Sequence, residues 1–280
     1  MLKARWMALL GVMFIAATAM APARATDLSI ELRGARTAGT LMIGKTAVGN
    51  RVFLAEQELS VTETGHVVFG FGREASGAQQ LHIEAPNGER ATISIELQPR
   101  EYDIDRVDGV PQQTVTPDPE QVARARREAQ KVAAARNDMS QRLDFLQPLI
   151  MPAEGRISGV YGSQRIFNGE PRNPHYGLDI AAPTGTPVQA PWAGRVVLAE
   201  PDLFYSGGTL ILDHGYGVTS TYIHLHKLHV QVGDIVQQGQ LMAEIGATGR
   251  VTGPHLDWRI NWGQERLDPA LALEHFSITE

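Results

Sequence analysis

Residues 209–226 read TLILDHGYGVTSTYIHLH. Two apolar, β-branched runs flank a glycine-bearing break at Gly215-Tyr216-Gly217, the texture of strands joined by a turn. Period two places Tyr222, His224 and His226 on one face of the second run and Ile223 and Leu225 on the other. The same texture continues on both sides. VYGSQ, TPVQA and GRVVLAE precede it, and LMAEIG and HLDWRINW follow it, all between glycine turns. No long helical pattern interrupts residues 150–275, so this region is expected to be an all-β domain.

Seven of the nine histidines lie in that region: His175, His214, His224, His226, His229, His255 and His275. Three short motifs among them suit a metal. His175-Tyr176-Gly177-Leu178-Asp179 brings an imidazole and a carboxylate from a turn into a strand. Tyr222-Ile223-His224-Leu225 carries a strand histidine. In His255-Leu256-Asp257-Trp258-Arg259-Ile260, alternation points His255, Asp257 and Arg259 one way and the apolar residues into a core. A catalytic zinc takes three protein ligands and leaves one position open. Further imidazoles can move protons. The chain has no cysteine, so disulfides, thiolate metal sites and cysteine nucleophiles are excluded. The residues alone leave two readings open: a metal hydrolase, and a non-catalytic β module with incidental histidines. His214 reads as shaping a turn at a strand end, His226 and His229 as rim or surface residues, and His275 as part of the C-terminal tail.

Residues 26–100 also alternate. Leu28, Ile30 and Leu32 share a face, as do Val67, Phe69 and Phe71, and Ile93, Ile95 and Leu97; Asn87-Gly88 marks a hairpin turn. A small antiparallel β-sandwich is expected there. Residues 101–117 read as a linker. Asp118 and Pro119 then open a connector helix running to about Leu146, solvated and with limited docking. The expected class is mainly β: a small β domain at 26–100, a linker and helix at 101–149, and an all-β domain at 150–275.

Residues 1–25 begin with Lys3 and Arg5, continue through an apolar run from Trp6 to Met20, and end in Ala23-Arg24-Ala25. This is the pattern of a cleaved export signal, too short to span a bilayer. A periplasmic or secreted location and no stable membrane span after cleavage are therefore expected. The whole chain carries a net charge of −6 with no long basic run, which argues against a nucleic acid as partner.

Residues 156–266, through HYGLDIAAPTGTPVQAPWAGRVVLAE and STYIHLHKLHVQVGDIVQQGQLMAEIGATGRVTGPHLDW, resemble the LytM/lysostaphin-type zinc metallopeptidases. The resemblance implies an all-β domain with a long open groove, one zinc ion, and hydrolysis of peptide bonds in peptidoglycan of the cell envelope. Envelope regulators are further partners that it allows. It makes His175 and Asp179 zinc ligands and His224 and His255 catalytic histidines. The family's third ligand is the second histidine of H-x-H; here that position is Asp257. A carboxylate can bind zinc, and Asp257 is taken as the third metal ligand. A second carboxylate makes the centre less positive and more tolerant of harder ions. His255 in that place, or an Asp257–Arg259 ion pair without metal, are the other readings. The alternative function is a metal-poor module of the same type that binds peptidoglycan or regulates other wall hydrolases.

Overall fold

Alternating apolar residues build the first half of the chain into two facing sheets. The computed structural model describes residues 26–107, 119–137, 139–167, 169–171 and 173–278. The export signal and the Asp118 cap lie outside them. Seven strands come first: β1 (Ile30–Arg33), β2 (Leu41–Thr46), β3 (Arg51–Leu54), β4 (Gln57–Leu59), β5 (His66–Gly70), β6 (Gly77–Glu84) and β7 (Arg90–Leu97). They form antiparallel sheets of order β1-β2-β5 and β4-β3-β6-β7. Val52, Val67, Phe69, Phe71, Leu81, Ile95 and Leu97 fill the space between them. The β6–β7 turn is closed at Asn87-Gly88, where Gly88 takes a φ of 85°.

After β8 (Ile104–Val107) and helix α1 (Pro119–Arg136) the chain supplies twelve more strands and a short helix. These are β9 (Arg156–Gly159), β10 (Gln164–Phe167), β11 (Glu170–Pro171), β12 (Leu178–Ala181), β13 (Pro187–Gln189), β14 (Gly194–Leu203), β15 (Gly207–Gly215), β16 (Val218–Leu228), β17 (Ile235–Val236), β18 (Leu241–Ile245), β19 (His255–Trp262), β20 (Glu265–Leu267) and α2 (Pro269–Phe276). Ten of them join one sheet with the main order β17-β14-β15-β16-β19-β12-β9. One face of that sheet is apolar, with Trp192, Leu210, Leu212, Tyr222, Leu256, Trp258 and Ile260 buried together. The molecule is mainly β, as the sequence predicts.

Three local departures have physical causes. Residues 104–107, read as linker, instead pair in parallel with β10. They satisfy an edge of the β10–β11 hairpin that would otherwise be open. Helix α1 ends at Arg136, short of Leu146. Phe145 and Leu149 must reach the core, where both are 1% exposed, and a single 3-10 turn at Asp144–Leu146 delivers them. The helix is also better docked than its thin apolar stripe suggests. Val132 and Ala135 pack on Leu198, Leu203 and Ile211, and Glu128 accepts a hydrogen bond from the Phe204 amide at 2.8 Å.

The two halves share one interior. The outer face of the β1-β2-β5 sheet adds Leu41 and Val68 to the cluster containing Phe145, Leu149, Leu267 and Phe276. Arg100 pairs with Asp268 at 2.5 Å, and Asp268 also caps α2 by accepting from the Ala270 amide.

Candidate metal centre

The antiparallel register of β12 and β19 sets Asp179 directly opposite Asp257. Facing residues of paired strands lie on one side, about 4.5–5.5 Å apart at Cβ. His175 enters from the turn before β12, held by its amide donating to the Ser163 carbonyl at 2.8 Å. Two glycines give the carboxylates room. A Cβ on Gly177 would fall 2.1 Å from Asp257 Oδ1, and one on Gly159 would fall 2.3 Å from Asp179 Oδ2. The sequence marks Gly177 as part of a turn between His175 and Asp179, but the close approach itself exists only across strands.

His175, Asp179 and Asp257 each offer one ligand atom within 4.8 Å of the others. His175 Nε2 and Asp179 Oδ1 lie 3.1 Å apart. Both are buried, and apart from this approach to each other neither has a hydrogen-bond partner. Orphaned buried polar atoms are costly, and a cation shared between them would satisfy both. The donor set of one imidazole and two carboxylates suits zinc. Burial alone pushes the His175 imidazole down, but Asp179 and Asp257 outweigh it and lift the group above its ordinary value. The same negative pull that holds a proton there would favour a metal cation.

His224 and His255 stand beside this triad. Their rings are 4.8 Å apart and tilted by 49°, and His255 Nε2 is 3.9 Å from Asp179 Oδ1. His224 reaches the site through an irregularity. Leu210 pairs with Tyr222 and Gly208 with Leu225, so β16 carries one extra residue between them. His224 within that bulge takes a φ of 67°, a left-handed conformation that costs energy for a residue with a Cβ. The bulge breaks the expected sharing of a face. Tyr222 points into the core, His224 into the site, and His226 is exposed. His224 Nδ1 lies 2.9 Å from the Thr248 carbonyl and His255 Nδ1 3.0 Å from the Gly253 carbonyl. A carbonyl only accepts, so each Nδ1 carries a proton, and in the neutral ring Nε2 is the nitrogen with the lone pair. Burial holds His224 below its ordinary value, and therefore neutral.

Asp257 has a second partner. Arg259 Nε donates to its Oδ1 at 2.9 Å and Arg259 Nη2 to its Oδ2 at 2.5 Å. Burial would raise the Asp257 carboxyl, but Arg259 holds it well below its usual range. The ion pair considered from sequence is thus present, and Asp257 still belongs to the triad. A carboxylate has about four lone-pair sites, so the guanidinium occupies only part of its capacity. Arg259 also returns one positive charge to a centre where a second carboxylate removed one.

His214 lies deeper than a turn residue. It is fully buried. Its Nδ1–H donates to the Ala193 carbonyl at 2.7 Å, and its Nε2 accepts from the Ser220 hydroxyl at 2.7 Å. The Tyr222 hydroxyl lies 2.7 Å from Ser220 Oγ and completes the chain. His229 pairs with Glu244 at 2.9 Å, away from the triad, and His275 lies on α2.

The profile of peptidase family M23 matches residues 173–269, a span containing all five site residues. Peptidoglycan DD-endopeptidase ShyB of Vibrio cholerae is 40% identical over 87 residues, 31% of this chain and 20% of that protein. ShyA of the same organism is 39% identical over 106 residues, 38% of this chain and 24% of that protein. The chain thus spans only a fifth to a quarter of these curated relatives. A crystal structure from Pseudomonas aeruginosa, assigned to peptidase M23, superposes with a TM-score of 0.63 at 30% identity, covering 85% of this chain and 95% of the other.

Proposed function

The chain belongs to peptidase family M23, and from that premise we propose that it is an exported zinc metalloendopeptidase that hydrolyses peptide bonds of peptidoglycan in the bacterial envelope. Export rests on the pattern of residues 1–25, and the substrate on the relatives named for peptidoglycan. The same reading divides the chain into a signal at 1–25, a β domain at 26–100, a linker and helix at 101–149, and the peptidase domain at 150–275.

One observation carries the proposal: two buried ligand atoms, His175 Nε2 and Asp179 Oδ1, have no partner but each other and face one another beside Asp257. His175, Asp179 and Asp257 would hold the ion. Zinc bound there supplies Lewis acidity toward a scissile carbonyl and its attacking water. The chain's own residues do the rest. The Thr248 and Gly253 carbonyls fix the tautomers of His224 and His255. One free Nε2 accepts the water's proton, and an imidazolium so formed can return it to the leaving amine. The other ring stands beside it with its Nδ1 fixed, and could donate to the developing oxyanion only as an imidazolium that has taken up a proton from solvent.

The test is digestion of purified peptidoglycan, with released peptides identified by mass spectrometry. Soluble peptides should appear with the protein, vanish with a chelator and return with added zinc. His224→Ala should keep its metal and lose about 10²–10⁴-fold in rate, the usual worth of positioned proton transfer. Cleavage that persists in full after verified metal removal would sink the proposal.

A further inference from the structure

The face of the sheet that carries the metal triad also carries an unbalanced group of arginines. Arg259 and Asn261 follow Asp257 on that face of β19 at spacings of two. Thr221 pairs in register with Arg259, Thr219 with Asn261, and Arg266 of β20 with Asn261. Arg136, at the C-terminal end of α1, is 3% exposed and reaches over this patch, its Nη2 3.4 Å from Thr221 Oγ1. Arg266 lies against the Tyr176 ring, 5.6 Å from its centroid, beside His175.

Donors and charge are both in surplus here. Arg136 Nε and Arg266 Nη1 are buried with no hydrogen-bond partner. Among the described residues, the only ion pair these three arginines make is that of Arg259 with Asp257. Burial, then the charges of Arg266 and Arg259, push Arg136 well below the ordinary guanidinium range. Guanidinium groups keep their proton, so the arrangement is relieved by an incoming anion. The cluster is not sealed: the Arg259 side chain is 23% exposed. A metal dication next to it would add to the positive field on this face, in a chain whose net charge is −6.

We propose that Arg136, Arg259 and Arg266 form a subsite beside the metal centre that binds a carboxylate of the peptide substrate. The proposal rests on the peptidase reading and adds a requirement for negative charge near the scissile bond. Guanidinium forks recognise carboxylates with charge-assisted, often bidentate bonds. Arg136 Nε and Arg266 Nη1, one unpaired donor on each guanidinium, can be engaged without disturbing the Asp257–Arg259 pair. The carboxylate can be a C-terminus or a side chain, and the two sources are separable by chemistry.

The experiment uses three probes: a cross-linked muropeptide dimer with free carboxylates, the same dimer amidated at its C-terminus, and the same dimer amidated at its side-chain carboxylate. Steady-state cleavage is measured with the zinc-loaded protein, and binding with the metal-free full chain. One of the two amidations should raise KM about 10–100-fold, as loss of a charged hydrogen bond does, with kcat little changed. It should weaken binding to the metal-free protein equally. In Arg136→Gln and Arg266→Gln the penalty for that amidation should shrink to a few-fold at most. Equal KM and equal binding for all three probes in the parent would overturn the subsite, a result that needs no variant to fold. So would an amidation penalty that survives in full in both variants. If no probe is cleaved but the free-carboxylate dimer still binds about 10-fold or more tighter than one amide, the subsite stands and the peptidase reading falls. Equal cleavage of all three leaves the peptidase reading and removes the subsite.

Discussion

Asp257 has two engagements, and substitution can separate them. Its side chain is 4% exposed and that of Arg259 is 23% exposed, so this is not the surface pair worth about 0–1 kcal/mol. Asp257→Ala leaves a largely enclosed guanidinium without its partner, a loss of about 3–5 kcal/mol by analogy with other buried pairs. It should also reduce zinc affinity by more than the 10–100-fold that loss of an outer-shell partner costs. Asp257→Ala combined with Arg259→Met should recover most of the stability and none of the metal binding. Chemical unfolding and chelator competition on both variants check this. Zinc affinity unchanged in Asp257→Ala would remove Asp257 from the ligand set. Asp257→His is expected to be destabilising while Arg259 remains, because it sets a neutral ring against that charge. The family resemblance implied that Asp257 stands in place of a histidine, and alternation put Arg259 on its side. The two-bond grip was not legible, since alternation gives a face but no side-chain direction within it. Arg136 was beyond reach for another reason: its approach depends on where α1 ends and how it crosses the sheet.

Strands were the most readable elements, because alternation and glycine turns report a half-buried sheet directly. The bulge in β16 was not readable. It depends on the register of Leu210 against Tyr222 and Gly208 against Leu225, and no residue in Tyr222-Ile223-His224 announces it. The polar chain behind that strand was equally hidden, since His214 looked like a turn residue. Burial pushes His214 below its ordinary value, the hydrogen bond to Ala193 only partly opposing it. His224 is lowered by the same leading cause. A histidine whose folded value is depressed contributes stability that is present above its unfolded value, about 6.5, and lost as pH falls toward the folded value. Folding stability should therefore decline from about pH 6.5 downward. His214→Gln should flatten that decline, while costing about 1–3 kcal/mol at neutral pH for the broken buried network. Urea unfolding at a series of pH values between 5 and 8 measures both, and an unchanged slope in the variant would refute the assignment.

Residues 26–100 and 150–275 share an interior, and this sets how far they behave as separate bodies. Alternation correctly suggested two β regions, but period two says only which face is apolar, never what covers it. In β5, Val67 and Phe69 face the first core, while Val68 joins the second with Leu41. Trp262 touches both clusters. Polar contacts reinforce the joint. Arg73 donates to the Gly162 carbonyl at 3.0 Å and 2.9 Å, and Arg100 holds Asp268 at the start of α2. Removing residues 26–100 would expose the apolar neighbours of Leu41 and Val68, so the peptidase sheet should be poorly soluble alone. The full chain should unfold in one cooperative step by calorimetry, its calorimetric and van't Hoff enthalpies agreeing. Val68→Asp places a charge in that shared interior and should split the step in two or lower its midpoint by several degrees. At the exposed margin of the same sheet face, Glu31→Gln should leave the midpoint in place. Two resolved transitions in the parent would show that the halves fold independently and that the shared interior adds little to their coupling.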